Sequence, residues 1–423
     1  MGFTKPKKAI GLDIGTHAVK AVQMSRSSGR LRVDYSACAL VDRNQLNADP
    51  IVAQTMAVRE ALEGMAVSQS RVVSALTGQM VVVRYPRLTD VPRDQLSAAV
   101  AREAANNIPY DLDDVFMDWV VLDEYMEEER RQTKVLLVAA KHEVIGTRLQ
   151  VLQSAEVECG ILDVDSLALA DAAEACDFLK TGETVAMINI GLTSSSVHFI
   201  KDGVSNFIRE VNWGARELVQ AVAKGRRCSY DDAIAMLEDI NQNQERAEMP
   251  VALEAMETEF DAPSIEEEPP LASEPFAEIS DMGGSLLDPL DEELDTVDDA
   301  VSETFESGPE PSPRPRKTQQ RMDDVIAAPL NRMGIELRRS FDFYEHQLYE
   351  RPVDRILLSG GPAALPHVAE TLREELGFSV VEIANPVQSA LLLGDERANR
   401  QLISHPAQFM VAIGLAARGM ADL

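Results

Sequence analysis

The chain has 423 residues, of which 45% are hydrophobic, so it can form two or three domains with cores of their own. Its formal net charge of −30 excludes nucleic acid as a partner, because phosphate binding needs a positive field. Four cysteines without C-x-x-C spacing exclude a zinc or disulfide framework, and no secretory signal or apolar run of roughly 20 residues occurs, which favours a cytoplasmic protein.

The opening residues predict the start of an α/β domain. Strands are expected at 8–15, 18–25 and 30–39, followed by a helix over 50–64 and a strand over 72–76. Within the first strand, Asp13 stands between Gly11 and Gly15. A strand buried only for its packing gains nothing from glycine, which packs no side chain and loses entropy on folding. The pattern therefore indicates a carboxylate that faces a ligand.

The next stretch predicts three further strands and two helices. Its elements are a strand at 81–85, a helix at 93–107, strands at 117–122 and 135–140, and a helix at 143–155. The charged run EEERRQTK (127–134) is expected to be the turn between the last two strands. On the helix, Leu96, Val100 and Ala104 share one stripe, which fits either a peptide groove or a core of this region's own.

At residue 185 the opening pattern returns. The segment VAMINIGLTSSSVHFI has a strand, a glycine turn with hydroxyl residues, and a second alternating strand. Aligned with IGLDIGTHAVKAVQM, it places Asn189 on Asp13 and Gly191 on Gly15. The period, near 176 residues, is too long for a solenoid. The repeat predicts two duplicated α/β halves that face each other across a cleft.

Residues 241–322 interrupt the second half and predict a disordered acidic insertion. Between Glu245 and Glu310 lie 22 acidic residues and one basic residue, Arg246. Such a segment cannot bury enough apolar surface to offset the entropy of ordering it. After it, an amphipathic helix precedes the segment RILLSGGPAALPHVAETLREEL, which reads as a strand, a Gly-Gly turn and a helix.

Three glycine turns carry residues suited to binding phosphate. Backbone N–H groups in such turns converge on anions, and hydroxyl groups from Thr16, Thr193, Ser194 and Ser195 add donors. Each turn alone is typical of an ordinary tight turn, whereas three in this order are much more specific for a phosphate-binding site.

This order of motifs resembles the actin-like ATPase superfamily, which includes actin, heat-shock chaperone ATPases, sugar kinases and FtsA. GLDIGTHAVK resembles its first phosphate motif, INIGLTSSS its second and LLSGGPAALP its adenosine motif. The helices at 163–172 and 409–419 resemble those that link the two halves. The resemblance implies an α/β, actin-like (ribonuclease H-like) fold with duplicated domains around a nucleotide cleft, and ATP and Mg²⁺ as cofactors.

The resemblance also implies a set of ligands, with Asp13 facing Mg²⁺ through its water shell. The implied nucleotide-binding residues are Asp13, Gly15, Thr16, His17, Lys20, Asn189, Gly191, Thr193, Ser194, Ser195, Gly214, Glu217, Gly360, Gly361 and Pro362. Lys20 has the alternative of a surface lysine, and Glu217 that of a solvated residue at a helix start. Asn189 departs from the family, which has an acid there, and an amide cannot act as a general base. We therefore expect nucleotide binding with weak hydrolysis or none, and we assign no catalytic residue.

Within the superfamily, the chain resembles the PilM family of type IV pilus assembly proteins. The resemblance rests on four segments: NNIPYDLDDVFMDWVVL, KVLLVAAKHEVIGTRLQVLQSAEVECGILDVDSLAL, FIREVNWGARELVQAVAKGRRCSYDDAIAML and VVEIANPVQ. It implies a cytoplasmic scaffold of the pilus inner-membrane platform that binds the N-terminus of a PilN-like membrane protein at subdomain 84–155. Contacts with other platform proteins, peripheral attachment to the inner membrane through partners, and self-association follow from the same resemblance.

The boundaries that the resemblance implies divide the chain into two halves, an extra α+β subdomain and an insertion. The first half comprises 1–83, 156–178 and 405–423, and the second comprises 179–240 and 323–404, around the subdomain 84–155 and the insertion 241–322. The alternatives are an FtsA-like cell-division protein and an actin-fold phosphotransferase resembling sugar kinases. The first needs an amphipathic membrane helix after 409–419 and the second a general-base carboxylate, and neither feature is evident in this sequence.

Overall fold

The computed structural model describes residues 7–248 and 321–421. Most of the predicted insertion lies outside the described residues. The helices on either side of it run further than the sequence predicted, ending at Glu248 and beginning at Met322. Residues 241–248 (NQNQERAE) contain no proline or glycine, so nothing in the backbone stops the first helix there.

The strands and helices alternate along most of the chain. The strands are β1 (Lys8–Ile14), β2 (Ala18–Ser27), β3 (Arg30–Leu40), β4 (Arg71–Leu76), β5 (Val81–Arg84), β6 (Arg87–Thr89), β7 (Val115–Glu127), β8 (Arg130–Lys141), β9 (Cys159–Val164), β10 (Thr184–Ile190), β11 (Ser195–Lys201), β12 (Val204–Val211), β13 (Arg355–Gly360), β14 (Val381–Ile383) and β15 (Leu392–Leu393). The helices are α1 (Arg43–Ala48), α2 (Pro50–Ala61), α3 (Leu96–Asn107), α4 (His142–Ser154), α5 (Asp165–Ala175), α6 (Arg216–Arg226), α7 (Tyr230–Glu248), α8 (Met322–Asp342), α9 (Pro366–Leu376), α10 (Arg400–Ser404) and α11 (Met410–Met420). None of the described helices is both long and apolar enough to cross a bilayer.

Two of the sheets repeat one topology. The first has the order β15-β3-β2-β1-β4-β9 and the second β12-β11-β10-β13-β14. In each, three antiparallel strands continue into parallel strands, β1 to β4 and β10 to β13. The duplication read from the sequence is therefore present in the fold.

The two linking helices, α5 and α11, share one apolar cluster with strands of both large sheets. Ala168 and Ala172 of α5 and Ala412 and Ala416 of α11 are completely buried in this cluster. The helices are so close that a Cβ on Gly414 would lie 1.8 Å from the carbonyl oxygen of Ala168. Small residues along both helices make this close packing possible.

Alternation along β1 explains how the first sheet is covered on both faces. Ile10, Leu12 and Ile14 pack in the apolar cluster that includes α2 and α4, whereas Ala9 lies in the cluster of the linking helices. Gly11 also faces α11, where a Cβ would lie 2.0 Å from the carbonyl oxygen of Ala412. Large side chains on one face and small ones on the other follow from the two-residue period of a strand.

The extra subdomain is a four-stranded sheet covered by α3. Strand β8 is central, with β5 and β6 on one side and β7 on the other. Leu96, Val100 and Ala104 are buried in the subdomain's own core, so the helix stripe is not a free groove.

The turn between β7 and β8 is shorter than the predicted segment EEERRQTK, so that prediction is wrong in length. The turn is confined to Glu128 and Glu129, which have positive φ values of 48° and 65°, and Glu127 pairs directly with Arg130. Polar residues after the turn satisfy their hydrogen bonds inside the sheet, as where the Thr89 hydroxyl donates to the Gln132 amide oxygen at 2.8 Å. A β-hairpin can therefore include residues whose sequence pattern is typical of a loop.

Helix α4 does not share the subdomain's core, although 84–155 included it. Its buried residues Val151 and Leu152 pack in the cluster of the first half, together with Val58 of α2. The strand β5 begins at Val81, before the expected boundary. The chain returns to the first half as soon as β8 ends, because α4 completes the layer that covers the first sheet.

Candidate functional site

A cavity of about 590 Å³ lies between the two halves. Twelve of the fifteen predicted ligand residues line it, and they come from three separate parts of the chain. They are Asp13, Gly15, Thr16, His17, Lys20, Asn189, Gly191, Thr193, Ser194, Gly360, Gly361 and Pro362. The fold thus gathers the three glycine turns around a single space.

The first two turns have the same local geometry. The N–H of Gly15 donates to the carbonyl of Ala18 at 3.2 Å, and the N–H of Gly191 donates to the carbonyl of Ser194 at 2.9 Å. A Cβ at either glycine would lie 2.9–3.0 Å from that same carbonyl oxygen. Each turn therefore closes tightly only with glycine at its first position.

The third turn needs glycine for a different reason. Gly360 has a φ of +95°, and a Cβ there would lie 2.2 Å from the carbonyl oxygen of Ile190. This contact joins the end of β13 to the end of β10, so the Gly-Gly turn lies beside the glycine turn that begins at Gly191.

Asp13 stands at the end of β1 with a side chain that is 19% exposed. The antiparallel register of β1 and β2 places Lys20 directly opposite, and its Nζ lies 3.4 Å from Oδ2 of Asp13. In the second half, Asn189 occupies the matching place, and its Oδ1 accepts a hydrogen bond from the Ser359 hydroxyl at 3.3 Å. One side of the cavity therefore carries a carboxylate and the other a neutral amide.

Six ionisable residues that the sequence analysis did not select also line the cavity: Lys141, Glu143, Arg148, Asp165, Glu210 and Glu238. Nη2 of Arg148 donates to the carbonyl of Ile14 at 3.1 Å, while its Nη1 is buried without a hydrogen-bond partner among the described residues. A buried, unsatisfied guanidinium donor at the wall of a cavity suits an anionic ligand. Arg148 lies in the middle of α4, and nothing in its local sequence distinguishes it from a surface arginine.

Asp165 and Glu210 carry strongly perturbed carboxyl groups. Asp165 begins α5, and its Oδ1 accepts hydrogen bonds from the N–H groups of Gly78 at 2.9 Å and Ser166 at 2.6 Å. Burial raises the pKa of Asp165 to about 7, and the nearby charge of Asp13 adds to the shift. Burial likewise raises the pKa of Glu210 to about 8, with a further contribution from Asp165.

The raised pKa of Glu210 predicts a pH-dependent stability. A carboxyl group with a higher pKa in the folded chain binds its proton more tightly there, so its contribution is full below the reference value of 4.5 and is lost as the pH rises toward about 8. Glu210→Gln, which stays neutral, should therefore raise the melting temperature at pH 8.5 by about 2–6 °C relative to the wild type and change it little at pH 5.

Melting curves of the protein without ligand, recorded by circular dichroism at both pH values, measure this difference. Glu63→Gln changes an exposed glutamate and serves as the control. An equal effect of Glu210→Gln at the two pH values would contradict the prediction.

Three predicted ligands do not reach the cavity. The Ser195 hydroxyl is buried and donates to the carbonyl of Trp213 at 2.8 Å. Gly214 packs behind the second turn, where a Cβ would lie 2.5 Å from the carbonyl oxygen of Leu192. Glu217 forms an ion pair with Arg332 at 2.5 Å instead of facing the cavity. The structure thus gives these residues supporting roles around the site.

Comparison with known proteins places this architecture in context. The family described as "Type IV pilus assembly protein PilM" matches residues 11–246 and 316–420. Among solved structures, a protein of the "PilM-PilN type IV pilus biogenesis complex" is similar over 98% of this chain and 99% of that one, with a TM-score of 0.68 and 22% identity.

Weaker structural similarity extends to other proteins. The ethanolamine utilization protein EutJ from Carboxydothermus hydrogenoformans has a TM-score of 0.47 and 12% identity, covering 98% of this chain and 91% of its own. The activator of the 2-hydroxyisocaproyl-CoA dehydratase from Clostridium difficile, solved with bound ADPNP, has a TM-score of 0.41 and 9% identity, covering 98% and 94%.

The predicted actin-like fold and the resemblance on which it rested are both confirmed. The family match spans both halves and the extra subdomain and leaves out only the chain ends and the acidic stretch between 246 and 316. This chain therefore belongs to the PilM family of type IV pilus assembly proteins.

Proposed function

We propose that the protein is an ATP-binding scaffold of the type IV pilus inner-membrane platform, and that it binds the cytoplasmic N-terminus of a PilN-like membrane protein. One observation supports nucleotide binding above all: three glycine turns line a single cavity, which Asp13 also lines. Contacts with other platform proteins and self-association stay predictions from the family resemblance.

The residues present fit a magnesium nucleotide. The turns at Gly15 and Gly191 supply backbone N–H groups for phosphate oxygens, and Arg148 supplies a buried donor that has no partner among the described residues. Asp13 would hold Mg²⁺ through water, and the ion would neutralise phosphate charge. Asn189 offers an amide where an acid would orient the attacking water, so hydrolysis should be slow or absent.

Calorimetric titration with Mg·ATP, paired with a thermal-shift assay, tests this half of the proposal. Saturable heat and a melting temperature that rises with ligand concentration are expected, because a ligand that binds only the folded state stabilises it. The absence of both effects at millimolar Mg·ATP would refute it.

Similarity to a protein of the solved "PilM-PilN type IV pilus biogenesis complex" supports the partner half of the proposal. Because the α3 stripe is buried, the peptide needs another surface of the extra subdomain. Strand β7 pairs only with β8 among the described strands, so its other edge is free. Phe116 and Val120 project from β7 on the same face and are 61% and 51% exposed. We infer that the peptide lies along β7, where an extended chain gains backbone hydrogen bonds and two apolar contacts.

Phe116→Ala together with Val120→Ala should weaken binding of this peptide about 10- to 50-fold, because two apolar contacts are lost. Fluorescence anisotropy with a labelled peptide from the N-terminus of the same organism's PilN-like protein measures the change. Ile335→Ala removes an apolar side chain of similar exposure from α8 and should leave binding intact. Undiminished binding by the double variant would place the peptide elsewhere.

A further inference from the structure

A second cavity, of about 740 Å³, lies where the four-stranded sheet meets the second half. Its two sides include residues of β5 and β12. Each of these strands is the edge of its sheet: β5 pairs with β8 and β12 with β11, and the described residues provide no strand on their other sides. Two unpaired sheet edges therefore line one space.

Contacts between the four-stranded sheet and the second half hold this cavity open. The hydroxyl groups of Tyr85 and Ser205 lie 2.7 Å apart, joining the chain after β5 to β12. Glu350 accepts hydrogen bonds from Arg87 at 2.9 Å and from Lys201 at 3.1 Å, joining the small sheet to the second half. The cavity is therefore preformed, and a ligand need not order its walls.

The cavity is rich in positive charge although the protein carries a net charge of −30. Arg84, Arg87, Lys134 and Arg209 line it, and Glu350 is shared by Arg87 and Lys201. Arg84 and Arg209 form no ion pair with any residue in the described ranges. Because its pKa is raised to about 8, Glu210 on the same wall is mostly uncharged at neutral pH.

Lys134 deepens this positive potential. Its ammonium group donates a hydrogen bond to the Asn206 side chain. Burial lowers the pKa of Lys134 to about 8, and the charges of Arg87 and Lys201 act in the same direction, while Glu350 opposes them. A carboxylate brought into the cavity would relieve the cost of this buried charge.

Apolar and aromatic groups complete the walls. Val81, Val83 and Phe207 line the cavity. Tyr349 stands at its rim, 89% exposed, with a left-handed φ of +55° that is unusual for an aromatic residue. Exposed tyrosines of this kind are frequent anchors in protein interfaces.

We propose that this cavity is a second partner site, which binds an extended acidic segment of another protein. The segment adds a strand to the free edge of β12 and places alternate carboxylates on Arg84, Lys134 and Arg209. The site is separate from the β7 surface proposed for the PilN-like peptide.

The test uses a fluorescein-labelled peptide of alternating glutamate and valine with one tyrosine, eight residues long, and a partner peptide in which lysine replaces each glutamate. Fluorescence anisotropy against the full chain should show the acidic peptide binding at least tenfold more tightly. Arg84→Glu with Arg209→Glu should weaken its binding more than 20-fold, and Tyr349→Ser about threefold or more. Arg338→Glu, which reverses an exposed charge on α8, and Phe116→Ala should leave it unchanged.

Hydrogen exchange supplies a readout that does not depend on the variants folding. The acidic peptide should protect amides of β12. Four outcomes would each overturn the proposal: protection of β7 instead of β12, equal binding of the two peptides, undiminished peptide binding by the double arginine variant, or no saturation at 1 mM peptide. Tyr349→Ser changes a residue that is almost fully exposed, so its effect cannot be ascribed to loss of the fold.

Discussion

Asp13→Ala should weaken binding of Mg·ATP about 10- to 100-fold, the largest effect on ligand binding that we expect from a single substitution in the cavity. The carboxylate is largely enclosed, beside Lys20, at the point where β1 gives way to the first glycine turn. Hydrogen bonds to a charged group contribute about 1.5–3 kcal/mol, which corresponds to this loss. Isothermal titration calorimetry of both proteins gives the ratio directly.

Two comparisons separate a role in metal binding from general damage. Asp34→Ala removes a carboxylate from the same sheet, where it bonds Ser25 at 2.9 Å and Arg32 at 2.7 Å outside the cavity, and should leave the affinity unchanged. In EDTA, wild type and Asp13→Ala should bind ATP with similar affinity, because the carboxylate acts through Mg²⁺. An equal loss with and without the metal would contradict the assignment.

Gly414→Ala should destabilise the protein by about 2–4 kcal/mol and lower its melting temperature by about 5–10 °C. The new Cβ would lie 1.8 Å from the carbonyl oxygen and 2.6 Å from the carbonyl carbon of Ala168, so α5 and α11 must separate. The backbone atoms it meets cannot turn away as a flexible side chain would. Both helices are sandwiched between the large sheets, and the shift therefore disturbs contacts on either side.

The same substitution at an exposed position of a helix provides the matched control. Gly146 lies within α4, and a Cβ there would meet nothing within 4 Å. Gly146→Ala should therefore gain about 0.5–1 kcal/mol from helix propensity alone. Thermal melting of the two variants should shift in opposite directions, and equal melting temperatures would show that the helices are not packed as described.

Local patterns determined much of the fold. The alternation in β1, with Ile10, Leu12 and Ile14 on one face, follows from strand geometry and needs no knowledge of the neighbouring layers. The glycines at 15 and 191 are demanded by the turns themselves, because each turn closes on a carbonyl three residues later. The repeat of these patterns was sufficient to predict two halves and a cleft, because a duplicated sequence folds into a duplicated topology.

Tertiary packing decided the rest of the cavity. Arg148 lies within α4, Asp165 begins α5 and Glu210 lies near the end of β12, and nothing in their immediate sequence distinguishes them from surface charges. Conversely, Glu217 looks the same at a helix start whether it faces a ligand or, as here, Arg332 on a distant helix. Long-range contacts of this kind leave no local signal.

The sequence by itself also could not assign α4 or the stripe of α3. Both helices are amphipathic, and an apolar face shows only that something covers it, not which layer does so. The structure packs α4 on the first sheet and buries the α3 stripe in the subdomain's own core. One free edge is at β7, and its exposure is decided by the sheet order, because a strand becomes an edge only when no other strand takes the place beside it.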